Sequence, residues 1–117
     1  CKIYGGEPEN VDDAFRSLKS GRIETNETTD TIADGLKTHL GDINFPIIQN
    51  GIEEIVLVTE DQILSALKLI WSRLKIVIEP SSAVAFAALI NKSSDLNSKN
   101  IGVILSGGNV NLDNMTF

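Results

Sequence analysis

The sequence predicts an α/β fold, a mainly parallel sheet with flanking helices, on three observations. Apolar runs alternate with helical patterns in the order strand, helix, strand, helix, helix, strand, an order that builds a parallel layer. Thr59-Glu60-Asp61-Gln62 is a capping box placed directly ahead of an apolar stripe, Ile63, Leu67, Ile70 and Leu74, at helical spacing. The run Gly102-Val103-Ile104-Leu105 stops abruptly in Ser106-Gly107-Gly108-Asn109. A buried strand ending this way delivers one hydroxyl to the carboxyl edge of a sheet, where open α/β sheets bind their ligands.

Cys1–Gly6 reads as the first strand, and Glu7-Pro8-Glu9-Asn10 as a turn. Asn10 is placed to cap a helix with Asp12 and Asp13 in its first turn, where negative charge suits the helix dipole. That helix runs through Ala14, Phe15 and Leu18 until Gly21 stops it. Residues 23–30, rich in Thr, Glu and Asn, form a surface loop. Thr31–Leu40 is predicted as a short helix ended by Gly41, and Pro46-Ile47-Ile48 starts another helix or turn. Ile52–Val58 is a strand, and the capped stripe makes the most secure helix, widened by Leu64, Ala66 and Trp71. Ile76–Ile78 is strand-like. Pro80 and the Ser81-Ser82 pair start a helix, Ala83–Ile90, apolar enough to be buried. Lys92–Asn100 is a polar loop, and Ile101–Leu105 is the last strand. Residues 1–117 are read as one α/β segment.

The 117 residues suffice for one core, and 42% hydrophobic with 22% charged is ordinary for a globular protein. A net charge of −6 argues against nucleic acid or an anionic membrane as partner. No apolar run approaches the roughly 20 residues of a membrane span. The chain opens on a strand-like segment, so no signal peptide is expected; its first residue is not Met, so it is expected to begin inside a longer product. Cys1 has no partner for an intrachain disulfide, which fits a reducing, cytoplasmic compartment.

Three groups of residues are candidates for chemistry. Ser106 and Gly107 either place a hydroxyl beside a ligand or simply close a strand in a glycine turn. Glu79, just ahead of Pro80, reads on its own as a helix-start carboxylate. Glu7 and Asp13 are either hard oxygen ligands for a divalent cation or acids serving a helix N-terminus. His39, the single histidine, reads as a surface residue, and Ser81-Ser82 as a helix cap rather than a nucleophile, since no base accompanies it.

Four segments in order, Glu7-Pro8 with Asp12-Asp13, Thr31-Ile32-Ala33-Asp34-Gly35, Ile78-Glu79-Pro80-Ser81-Ser82-Ala83 and Ser106-Gly107-Gly108-Asn109, together resemble fold-type II pyridoxal-phosphate enzymes. The match is to the C-terminal part of the serine racemase and threonine (serine) dehydratase branch, a partial tryptophan synthase β-like domain. The resemblance implies that Ser106 hydrogen-bonds the pyridine nitrogen of the cofactor. A hydroxyl leaves that nitrogen largely neutral, which suits β-elimination; a carboxylate would hold it protonated. It implies that Gly35 lies against the cofactor ring, with Glu79 near the ring edge and Gly107 in the same turn. It also implies a divalent cation (Mg²⁺, Ca²⁺ or Mn²⁺) held by Glu7, Asp13 and the carbonyl of Val11, in a structural and allosteric role. One departure is Ile43, which stands where the branch offers a further polar residue near the metal.

The resemblance further implies a Schiff-base lysine in a Ser-Phe-Lys-like segment and a glycine loop for the cofactor phosphate. Neither motif occurs in these residues, so no catalytic residue is assigned and the chain alone is expected to be inactive. The complete enzyme would take a small amino-acid substrate. Serine racemisation and β-elimination of L-threonine or L-serine to a 2-oxo acid and ammonia both remain open. A different class of function is a stand-alone, non-catalytic α/β remnant whose exposed apolar surface is covered by a homo-oligomer or by a missing N-terminal half. A third is a metal-binding structural domain.

Overall fold

The computed structural model describes residues 1–97 and 100–114. Strands β1 (Tyr4–Pro8) and β2 (Glu54–Val58) pair in parallel, Tyr4 opposite Glu54 and Pro8 opposite Val58. Four helices accompany them among the described residues: α1 (Asp13–Ser20), α2 (Asn44–Gly51), α3 (Glu60–Leu74) and α4 (Pro80–Lys92). None is long and apolar enough to cross a membrane.

The core lies where α4 covers the sheet and α3 packs against α4. Val58 from β2, Ile63, Leu67 and Ile70 from α3, and Ala83, Val84 and Ala87 from α4 are among its buried members. The small residues of α4 let the helix sit directly on β1. A Cβ built on Gly6 would stand 2.9 Å from Ala88 Cβ and from the Val84 carbonyl oxygen. Helix α4 also gives the layer its polarity. Its last residue, Lys92, pairs with Glu54 at the start of β2 at 2.7 Å, whereas Ser82 in its first turn bonds Gly107. The helix therefore runs antiparallel to β2, and residues 100–107 return antiparallel to the helix. Residues 100–107 thus run in the same direction as both strands.

The expected capping box is present: the Gln62 amide donates to Thr59 Oγ1 at 3.2 Å, and the Thr59 amide donates to Gln62 Oε1 at 2.9 Å. Gly21 ends α1 in the left-handed conformation, φ 74°, and donates its N–H to Ser17. Helix α3 ends on Lys75 in that same region, φ 59°. A residue with a Cβ is strained there.

Several expectations are corrected. The first strand is Tyr4–Pro8, so Glu7 and Pro8 belong to the strand, not to a turn. Asn10 does not cap α1; its amide donates to the Asp30 carbonyl, and Asp12 holds the N-cap position. The predicted helix Thr31–Leu40 is only a single 3₁₀ turn, Asp34–Leu36. Thr31 Oγ1 takes the Ala33 N–H and Glu60 takes the Ile32 N–H, side-chain bonds that compete with helix hydrogen bonding. Residues 76–78 and 101–105 form no ladder. Just beyond the two segments, the Glu79 N–H donates to the Gly107 carbonyl at 3.1 Å. Residues 101–105 keep strand alternation, with Val103 and Leu105 half-buried and Ile104 82% exposed. Helix α4 is buried on one face only, and Ile90 is exposed.

Candidate functional site

Four of the residues singled out in the sequence meet around the first turn of α4. Pro80 at the first helical position supplies a fixed φ and needs no hydrogen-bond partner for its nitrogen. Ser81 and Ser82 follow inside the helix, and neither hydroxyl caps it. Ser82, 1% exposed, donates to the Gly107 carbonyl and accepts the Gly107 N–H, both at 2.7 Å. Ser81 Oγ accepts the Gly35 N–H at 3.0 Å. Two adjacent hydroxyls thus tie two loops, 46 and 25 residues away, to one helix terminus. A helix cap was the expectation for this pair; the α4 backbone donors that a cap would satisfy are left to the turn preceding the helix.

Ser106 is exposed, with its hydroxyl 3.4 Å from Ser82 Oγ. The single proton of Ser82 is committed to Gly107, so Ser106 is the donor in that long contact. Its hydroxyl is therefore weakly held and free to turn outward. Both glycines lie against side-chain tips that a Cβ would have to displace. A Cβ on Gly35 would stand 3.0 Å from Ser81 Oγ, and one on Gly107 would collide with Glu79 Oε1. Glu79 thus lies against the Ser106–Gly107 turn, and its side chain makes no cap hydrogen bond at α4.

Glu7, Val11 and Asp13 form a second, buried constellation between β1 and α1. Glu7 is 7% exposed and Asp13 3%. The Glu7 carboxylate caps α1 from outside, accepting the Ala14 N–H at 3.0 Å and the Phe15 N–H at 2.8 Å. Asp13 accepts from the Asn26 side chain at 2.8 Å and from the Leu40 N–H at 3.3 Å. Burial pushes the Glu7 carboxyl up to about 7, the two backbone donors oppose the shift, and the negative charge of Asp13 adds to it. Each carboxylate oxygen keeps a further lone pair, so the pair fits part of a hard-cation shell completed by a carbonyl and water. Among the described residues no group of three or more His, Cys, Asp or Glu is arranged to hold a metal ion. Ile43 is 83% exposed ahead of α2. His39 is exposed, as expected.

The service of Glu7 to a helix N-terminus was one of its two sequence readings, whereas the ties made by Ser81 and Ser82 and the anchor at Glu60 were not read from the sequence. Each joins residues far apart in the chain. Only the helix-start location of the serine pair hinted at any of them.

These motifs and this architecture define a class. Residues 1–107 match the family model described as pyridoxal-phosphate dependent enzyme, and the chain belongs to that family. Over 119 residues it is 45% identical to a serine racemase of Dictyostelium discoideum, covering 98% of this chain and 37% of that protein. It is 41% identical over 116 residues to a beta-hydroxyaspartate dehydratase of Paracoccus denitrificans, covering 99% and 37%. The solved structure of a maize serine racemase superposes with a TM-score of 0.91 at 36% identity, covering 96% of this chain and 36% of that one. The chain therefore spans little more than a third of the relatives it matches, and its neighbours are fold-type II enzymes, as the motifs led one to expect.

Proposed function

We propose that this chain is the C-terminal part of a cytoplasmic pyridoxal-phosphate enzyme acting on a small hydroxy-amino acid. The whole enzyme would eliminate water from serine or threonine to give a 2-oxo acid and ammonia, or racemise serine, or both. Bound pyridoxal phosphate supplies the electron sink that labilises bonds at the substrate α-carbon. What this chain contributes is a surface for the cofactor ring. Ser106 holds the pyridine nitrogen with a hydroxyl that is exposed and weakly engaged. Ser82 fixes the turn that carries Ser106, Glu79 lies against that turn, and Ser81 holds Gly35 on the other side. Gly35 and Gly107 keep side chains out of the space. The observation that carries the reading is the convergence of Ser106, Gly107, Glu79 and Gly35 on one helix terminus. Glu7, Asp13 and the Val11 carbonyl hold a divalent cation that braces β1 and α1.

The test is reconstitution. This chain is combined with the Dictyostelium serine racemase polypeptide lacking its matched 119 residues, and 2-oxo acid formation from serine and threonine is followed. The reading expects cofactor-dependent turnover, and a changed cofactor absorption spectrum in Ser106→Asp. Turnover with a spectrum indifferent to Ser106→Ala and Ser106→Asp alike would remove Ser106 from the site. Independently, thermal melts of the chain with Mg²⁺, Ca²⁺ or Mn²⁺ should show stabilisation that Asp13→Ala abolishes.

A second reading, self-association, is favoured by one observation. Ile43, Ile47, Val77, Ile104 and Leu112 are each more than half exposed. Where such residues form a contiguous patch they mark interaction sites. A monodisperse monomer by sedimentation would count against it.

A further inference from the structure

Asp13 is aimed by an amide that is itself aimed. Its buried carboxylate accepts one donor on each oxygen: the Asn26 side chain on Oδ1 at 2.8 Å and the Leu40 N–H on Oδ2 at 3.3 Å. Asn26 stands half-buried between two groups of opposite hydrogen-bonding type. Its side-chain carbonyl accepts from Arg16 Nη2 at 3.0 Å, and a guanidinium can only donate. Its NH₂ faces a carboxylate, which when ionised can only accept. The amide therefore has one workable orientation. Arg16 is held in turn, by Asp12 through Nε at 2.7 Å and by the Thr25 carbonyl through Nη2 at 3.0 Å. The guanidinium pairs with Asp12, and its link to Asp13 runs through a neutral amide.

We propose that Asn26 is a positioning residue that holds Asp13 as a one-oxygen ligand and so sets how the cation site ranks Mg²⁺ against Ca²⁺. The two oxygens of Asp13 are pinned by groups 13 and 27 residues away in the chain. Such a carboxylate cannot swing to offer both oxygens to one ion without breaking a bond. Mg²⁺ demands near-ideal octahedral geometry, which a two-oxygen bite distorts, whereas Ca²⁺ accepts a carboxylate through one oxygen or both. Loss of the pin therefore costs Mg²⁺ more than Ca²⁺. Partners that orient a metal ligand from outside typically contribute about 10- to 100-fold in metal affinity. Loop 22–30 thus belongs to the site although it supplies no ligand to the ion. The inference rests on the reading of Glu7, Asp13 and the Val11 carbonyl as a cation site, but not on the cofactor or the reaction.

The experiment is calorimetric titration of the full chain with MgCl₂ and with CaCl₂. Wild type should bind both. Asn26→Ala should weaken Mg²⁺ by about tenfold or more and Ca²⁺ by less than about threefold, so the ratio of the two affinities falls. Arg16→Met removes the donor that orients the amide and gives a second route to the same result. It should lower the ratio in the same direction, and adding it to Asn26→Ala should lower the ratio no further. Thr28→Ala is the control within the loop, because it removes a hydroxyl that accepts the Asp30 N–H and touches neither Asp13 nor Arg16. It should leave the ratio unchanged. Equal weakening of both cations, or a ratio that Thr28→Ala lowers as much as Asn26→Ala does, would overturn the inference by reducing Asn26 to a general support of the loop. Binding by wild type that neither Asn26→Ala nor Arg16→Met alters would overturn it while the cation site stands. Wild type that binds neither ion would end the cation reading and the inference with it.

Discussion

Glu7 gives the sharpest stability prediction. Its carboxyl is buried beside Asp13 and titrates near 7 in the folded chain, against 4.5 for an ordinary glutamate. Below pH 4.5 the group is protonated in both folded and unfolded chains and adds no penalty. Between 4.5 and 7 the unfolded chain releases its proton while the folded chain keeps it, so stability falls as pH rises. Above 7 both are ionised and the loss is complete. The shift from 4.5 to about 7 corresponds to a loss of about 3 kcal/mol across that window, at 1.36 kcal/mol per unit. The perturbation is Glu7→Gln, which cannot ionise. The absolute stability of that variant also reflects a lost backbone bond, because an amide has one acceptor where the carboxylate uses two. Its pH dependence does not. Urea unfolding, followed through the single tryptophan, Trp71, should be run with chelator at pH 4.5, 6 and 8. The stability difference between wild type and Glu7→Gln should move by about 3 kcal/mol in favour of the variant from the lowest pH to the highest. A difference that stays flat with pH, or moves the other way, would show that Glu7 is not held as described. Adding a divalent cation at pH 8 should restore wild type and leave Glu7→Gln unchanged.

The other predictions concern packing and ties. Gly6→Ala should destabilise by about 1–3 kcal/mol in urea unfolding, because the new methyl would meet Ala88 and the Val84 carbonyl at 2.9 Å. Ser82→Ala should lose about 1–3 kcal/mol and broaden the NMR signals of Ser106 and Gly107, since both polar groups of Gly107 lose their side-chain partner. Thr59→Ala should cost about 1 kcal/mol through the lost N-cap, with Tm falling by several degrees. Lys75→Gly should raise stability by up to about 1 kcal/mol by relieving the left-handed conformation after α3.

What the sequence made legible was local. The capping box at Thr59 and the glycine stop at Gly21 involve neighbours within a few residues, and both stand where the sequence put them. Thr31–Leu40 failed as a helix for a reason lying partly outside it: Glu60, 28 residues on, takes the Ile32 N–H, while Thr31 takes that of Ala33. Strand assignment failed differently. Residues 101–105 have the burial alternation of a strand, but a strand is defined by a hydrogen-bonded neighbour. Composition fixes the tendency of a segment to be extended, and only a partner makes it part of a sheet.

The same distinction separates the two candidate constellations. Motif order named Ser106, Gly107, Glu79 and Gly35, yet nothing in their spacing explains why they belong together. Ser81 and Ser82 do: one bonds Gly35 and the other bonds Gly107, so a single helix turn sets the separation of two loops. The glycines at 35 and 107 lie against Ser81 Oγ and Glu79 Oε1, side-chain tips of this chain. The surface proposed for the cofactor ring is therefore held by ties within this chain, from Ser81 to Gly35 and from Ser82 to Gly107. Glu7 shows the opposite arrangement. Its two oxygens already serve α1, and its raised pKa records an unrelieved cost of burial beside Asp13. A site that is satisfied without its ligand, like the α4 turn, gains precision of position. At Glu7 with Asp13, where burial raises the carboxyl, the proposed divalent cation would relieve that cost of burial.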